Sequence, residues 1–132
     1  MQSASLEKLK VMLENDDPSG FEMHLRLEGE WDQVKFERLM TCLEEALSEL
    51  GGQALVPRWL AAWFCWAPNW IARNASGDAF YRRRPVTFRH DDYAALVAAG
   101  LRRLNDAVHV FAYDQPTAQP QGEDQATGSG MQ

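Results

Sequence analysis

Phe21-Glu22-Met23-His24-Leu25-Arg26-Leu27-Glu28 alternates apolar and polar side chains over its whole length. Successive side chains of a β-strand point to opposite faces, so a period of two predicts a strand with one face on a core and one in water. Turn formers bound the stretch, Asn15-Asp16-Asp17-Pro18-Ser19-Gly20 before it and Gly29 after it, as they should bound a strand. This reading commits the chain to a mixed fold, because the segments on either side carry helical patterns.

Upstream, Leu6, Leu9, Val11, Met12 and Leu13 describe a short amphipathic helix that ends before Asn15. Downstream, the segment Trp31 to Leu50 places Phe36, Leu39, Met40, Leu43, Leu47 and Leu50 on one stripe, with Glu37, Glu44, Glu45 and Glu49 outside it. Gly51-Gly52 then supplies a C-terminal stop. Pro57 suits the first turn of a third helix, where its missing N–H is not needed. Pro68 predicts a stop near Ala67 or a kink, since an interior proline removes a hydrogen bond and clashes with the preceding turn. Asn74-Ala75-Ser76-Gly77-Asp78 reads as a turn between strand-like Trp70-Ile71-Ala72 and Ala79-Phe80-Tyr81, and Val86-Thr87-Phe88 as a further short strand. A last helix, capped by His90 or Asp91, carries Tyr93, Leu96, Val97, Leu101 and Leu104 on its apolar face. The run Val108 to Tyr113 is rich in β-branched and aromatic residues and reads as a closing strand.

The expected architecture is therefore α+β: a single domain over residues 1–113, with a small, mostly antiparallel sheet and about four helices packed mainly on one face. A split βαβ arrangement is one form it could take. Residues 114–132 are Pro, Gln, Gly, Thr, Ser and acids with almost nothing to bury, and are expected to form a disordered tail.

Four of the five tryptophans, Trp59, Trp63, Trp66 and Trp70, fall within twelve residues. At about 100° per residue they occupy an arc of roughly 60°. Together they could bury about 600–1,000 Å², more than a soluble monomer leaves exposed in one apolar patch. The stripe is core or partner surface. Cys42 and Cys65 sit inside apolar helical patterns and read as small buried thiols, so a reducing cytoplasm is the expected compartment. No apolar run is long enough to span a membrane, and residues 1–10 are polar and amphipathic rather than signal-like.

The net charge of −6 hides a split: residues 1–56 carry twelve Asp/Glu against five Lys/Arg, whereas residues 57–113 carry eight arginines against four aspartates. Such asymmetry marks either a charged-partner surface or two halves that neutralise each other. Glu37, Glu44, Glu45 and Glu49 could form an acidic ridge that steers a basic partner, with Trp63, Trp66 and Trp70 as aromatic anchors. Arg82-Arg83-Arg84, with Phe80 and Tyr81 beside it, offers forked donors for phosphate or carboxylate. An overall pI near 5.0 argues against nucleic acid as its partner.

Catalytic motifs are missing: there is no GxSxG elbow, no GxGxxG or phosphate loop, and no HExxH or CxxC spacing. No metal or other cofactor is expected. In profile, being small, acidic, tryptophan-containing and without a catalytic constellation, the chain resembles bacterial immunity and antitoxin proteins, and to a lesser degree secretion chaperones. That resemblance implies a cytoplasmic, non-catalytic module that occludes another protein, such as a basic toxin or effector. The alternatives are a single-stranded nucleic-acid binder and a small enzyme or ligand-binding domain. The latter would have a pocket lined by Trp63, Trp66, Tyr81 and Arg83, with His90 working beside Asp92.

Overall fold

The alternating stretch is a helix. In a computed structural model, which describes residues 4–14, 20–51, 53 and 55–113, Phe21–Glu28 forms α2, the second of six helices. Phe21 and Leu25, four residues apart, are buried, while Leu27 is 62% exposed. Only this i, i+4 subset of an alternating pattern shares a helix face. Composition tips the balance: Glu, Met, Leu and Arg are good helix formers, and the stretch has no β-branched residue. Gly29 ends α2 in the left-handed region at φ 64°, its N–H donating to the Leu25 carbonyl at 2.9 Å, a stop that glycine makes at little steric cost.

The other expected strands are overturned as well, and the described residues contain none. Trp70-Ile71-Ala72 lie inside α4 (Arg58–Asn74), Ala79-Phe80-Tyr81 inside the short α5 (Asp78–Arg82), and Val108 to Ala112 form the last turns of α6 (His90–Ala112), capped by Tyr113. Val86-Thr87-Phe88 belong to a turn closed by the Phe88 N–H on the Pro85 carbonyl at 3.0 Å. The architecture is thus all-helical, not α+β. In α6 the β-prone run is held by helical register: Leu104 and Ala107 are buried, and Phe111, next on that face, stacks on Phe64 with ring centroids 4.2 Å apart. Tertiary packing overrides propensity here.

The expected stop near Ala67 is also corrected, since α4 runs through Pro68 to Asn74. An interior proline costs about 3 kcal/mol. Ala67, Ile71 and Ala75 are all buried around and beyond it, and full burial of one Ile returns about 1.5–3 kcal/mol.

Helix α1 (Ala4–Glu14) and helix α3 (Gln33–Glu49) form where the sequence predicts them. Asp32 caps α3, its Oδ1 accepting the Lys35 N–H at 3.0 Å, and the predicted stripe from Phe36 to Leu50 is buried throughout. α3 is the hub: it packs against α1, α2 and α6, while α4 lies on α6 and also meets α1 and α2. The expected tail, residues 114–132, and the loop 15–19 lie outside the described residues.

The core gathers round Trp31, in the short connection between α2 and α3. Its side chain is 1% exposed, with Phe21 at 4.9 Å and Phe36 at 4.6 Å between ring centroids. Gly100 of α6 lies directly beneath it: a Cβ at that position would sit 2.3 Å from Trp31 Cζ2. The buried Trp31 N–H donates to the Tyr93 hydroxyl at 2.7 Å, and the indole N–H donates to Gln33 Oε1 at 2.9 Å.

Gly→Ala in a helix interior ordinarily stabilises by about 1 kcal/mol. Gly100→Ala should instead destabilise by roughly 1–3 kcal/mol, the range for overpacking. Tyr93→Phe, which leaves the Trp31 N–H buried without a partner, should lose about 1–3 kcal/mol. Urea denaturation of the two variants measures both.

Candidate functional site

The tryptophan stripe lies along the edge of the buried face of α4 and is split by it. Taking Trp63 as zero, Leu60, Ala67 and Ile71 lie within about 80° on one side, and Trp70, Trp59 and Trp66 lie about 20°, 40° and 60° away on the other. Burial follows these angles. Trp63 is buried, Trp59 and Trp70 are half-buried, and Trp66 is 45% exposed. Trp66 and Trp70 meet edge to face at 6.4 Å, and the Arg26 guanidinium covers the Trp70 ring at 5.3 Å.

Trp66 borders a groove of about 430 Å³ where α1, α2, α3 and α4 converge. Its apolar lining comes from Met12, Leu13, Phe21, Met23, Leu39 and Trp66. Among the described residues its charged lining is Lys8, Arg26, Lys35 and Arg38, with Glu22 as the one carboxylate. Glu22 is tied inward: Trp63 Nε1 donates to its Oε1 at 2.9 Å. Burial pushes the Glu22 carboxyl above the usual glutamate range, opposed by the Trp63 hydrogen bond and by Arg26. A second depression, of about 570 Å³, lies between the C-terminal ends of α3 and α6 and is bordered by Glu44 and Asp106.

At the groove's margin a row of polar groups is not apparent from the sequence. His24 Nε2 lies 3.0 Å from Glu30 Oε1, and Lys35 Nζ lies 3.2 Å from His24 Nδ1. With Lys35 Nζ donating to Nδ1, the ring can donate from Nε2 to the carboxylate, so the row fastens α2 to the start of α3. The i, i+6 spacing of His24 and Glu30 across Gly29 becomes meaningful only once 21–28 is read as a helix.

The acidic ridge is largely spoken for. Arg103 of α6 forks onto Glu44 through Nε and Nη2 at 2.9 and 2.8 Å and reaches Glu37 through Nη1 at 2.6 Å. These bonds hold the guanidinium protonated and pull the Glu37 carboxyl below its usual range. Glu49 accepts from Ser5 at 2.8 Å, and Glu45 is exposed. At this contact the acidic and basic halves neutralise each other.

The arginine triplet does not join the tryptophans. Arg84 donates to the Tyr81 and Phe88 carbonyls at 3.3 and 3.2 Å, pinning the loop before α6. The Arg83 guanidinium lies so close over Gly29 that a Cβ there would be 2.7 Å from its Nη1. Arg82 is exposed. Neither depression is lined by Tyr81 or Arg83, and Tyr81 packs on Phe80, His90 and Tyr93. His90 lies 3.4 Å from Asp91, both exposed. Arg89, not His90 or Asp91, is the N-cap of α6.

Cys42 is buried, and desolvation raises its thiol pKa. Cys65, expected to be buried, is exposed, because it lies two residues, about 200°, from Trp63 on α4. Among the described residues no group of three or more His, Cys, Asp or Glu could hold a metal ion, and no helix is long and apolar enough to cross a membrane.

Comparison with known protein families, characterised proteins and solved structures finds no match.

Two measurements check this geometry. Because the folded state holds the Glu22 proton more tightly than the unfolded chain, the associated stability is complete below the unfolded pKa and is lost as pH rises through the folded one. Glu22→Gln keeps an acceptor for Trp63, so it should be more stable than the parent at pH 7 and indistinguishable from it near pH 3, below the usual carboxylate range. In acrylamide quenching, Trp66→Phe should remove the largest part of the quenchable emission and Trp63→Phe very little of it.

Proposed function

We propose that the chain is a non-catalytic binding module that occludes a partner protein, as immunity and antitoxin-type inhibitors do, and that it docks through the groove between α1, α2, α3 and α4. The observation that carries this reading is Trp66, a large aromatic side chain left 45% exposed at the lip of an apolar groove. Half-buried aromatics beside a concave apolar floor are the usual energetic anchors of protein interfaces. Val11, 56% exposed on the α1 wall, extends the apolar surface. Met12 and Met23 contribute side chains that adapt to an incoming shape. The internal use of Glu37 and Glu44 by Arg103 moves the weight of recognition from the acidic face of α3 to the groove.

The test is a photo-crosslinking residue, p-benzoylphenylalanine, placed at position 66 and, as a control, at Val86, which is fully exposed and lines neither depression. In the cell the chain comes from, position 66 should yield one discrete protein adduct and position 86 none. The captured protein, purified, should bind the intact chain and lose most of its affinity to Trp66→Ala. Equal labelling at both positions, or no adduct at position 66, contradicts the proposal.

A further inference from the structure

Resting on that reading of the groove, we infer that its occupant is an acidic amphipathic helix of the partner, whose apolar side chains fill the floor at Met23 and Leu39 and pack on Trp66 at the lip, and whose carboxylates meet Lys8, Arg26, Lys35 and Arg38.

Charge is the first ground. A chain of net charge −6 places, among the described residues, four cations and one carboxylate around a single groove. None of the four is in an ion pair among the described residues. Arg26 lies over the Trp70 ring, Lys35 meets an imidazole nitrogen, and Lys8 and Arg38 have no hydrogen-bond or ion-pair partner there. Glu22 feels the Arg26 charge, but its hydrogen bond is from the Trp63 indole and it forms no ion pair with any of the four. A groove with four cations and, among the described residues, one carboxylate is complementary to carboxylates brought from outside.

Distribution is the second. Each of three walls carries a cation one helical turn from an apolar residue: Lys8 and Met12 on α1, Arg26 and Met23 on α2, Lys35 and Leu39 on α3. Residues three or four apart share a helix face, so each wall presents apolar surface below and charge above. A single phosphate or lipid headgroup can meet one such cation cluster. An amphipathic helix, with anchors at i, i+3, i+4 and i+7 and carboxylates flanking them, meets all three walls at once. An added strand is not an option, because the described residues present no sheet edge.

The test uses the intact chain and fluorescence anisotropy with four probes. These are a labelled 18-residue helical peptide with leucines at i, i+3, i+4 and i+7 and glutamates beside them, the same peptide with lysines for glutamates, a 20-nucleotide oligothymidylate, and phosphatidylglycerol vesicles. The glutamate peptide should bind in a salt-sensitive manner, and the lysine peptide at least about tenfold more weakly. Arg38→Glu combined with Lys8→Glu, both at exposed positions, should cost a further tenfold or so without loss of helical circular dichroism, and Trp66→Ala a similar factor. Lysine-peptide binding equal to that of the glutamate peptide, indifference to the double charge reversal, or tighter binding of the oligonucleotide or vesicles through the same residues overturns the inference. If position 66 captures a protein partner while the glutamate peptide fails, the binding-module reading stands and the acidic-helix assignment falls. If neither succeeds, both fall.

Discussion

One close approach ties three helices together: the Trp31 indole lies against the bare backbone of Gly100. Trp31 belongs to no helix, yet it touches the start of α2 through Phe21, the first turns of α3 through Phe36, and α6 through Gly100 and Tyr93. A ring of that size reaches α6 only where the facing residue has no side chain, and Gly100 meets that condition. Tyr93, two turns earlier on α6, answers the backbone N–H that this burial takes out of water. Interiors packed to crystal density transmit such constraints with little slack. The passage of the chain from α2 into α3 is therefore braced against α6.

That passage also fixes the walls of the groove. Fastening α2 to α3 through Trp31, and again through the His24 row, fixes Met23 and Arg26 relative to Lys35, Arg38 and Leu39. The clamp from Arg103 to Glu37 and Glu44 joins α3 to α6 on the surface. Exposed pairs of this kind contribute modestly to stability, on the order of 1 kcal/mol or less. Their larger effect is on charge, since they neutralise part of the acidic face of α3, at Glu37 and Glu44, while the groove gathers four of the five cations of the N-terminal half.

Much of the helical content is visible in the sequence, and the errors have a common cause. α1, α3 and the first half of α6 show long, unambiguous periods of 3.6. Over the eight residues of α2, however, a period of two and an i, i+4 pair select overlapping sets, and Phe21 and Leu25 satisfy both. The helix-forming composition of that stretch and the glycine at its end held the deciding information. At residues 108–113 the β-prone side chains conceal that Phe111 simply continues the face of Leu104 and Ala107. These two misreadings, with the short strands expected at 70–72, 79–81 and 86–88, produced a sheet. Trp66 is recognisable from sequence as a partner-surface candidate, but the groove itself is not. Lys8, Arg26, Lys35 and Arg38 are scattered along an acidic half of the chain, on three helices whose convergence no local pattern encodes. The Arg82-Arg83-Arg84 run, conspicuous in sequence, turns out to support the α5–α6 loop and the end of α2.

The seat of Trp31 on Gly100 is most directly tested by nuclear magnetic resonance. The Gly100 Hα that points toward the indole should be displaced from the ordinary helical shift by its ring current and should show nuclear Overhauser effects to the Trp31 ring protons. Gly100 protons at ordinary helical shifts, with no such cross-peaks in a folded sample, would contradict the account.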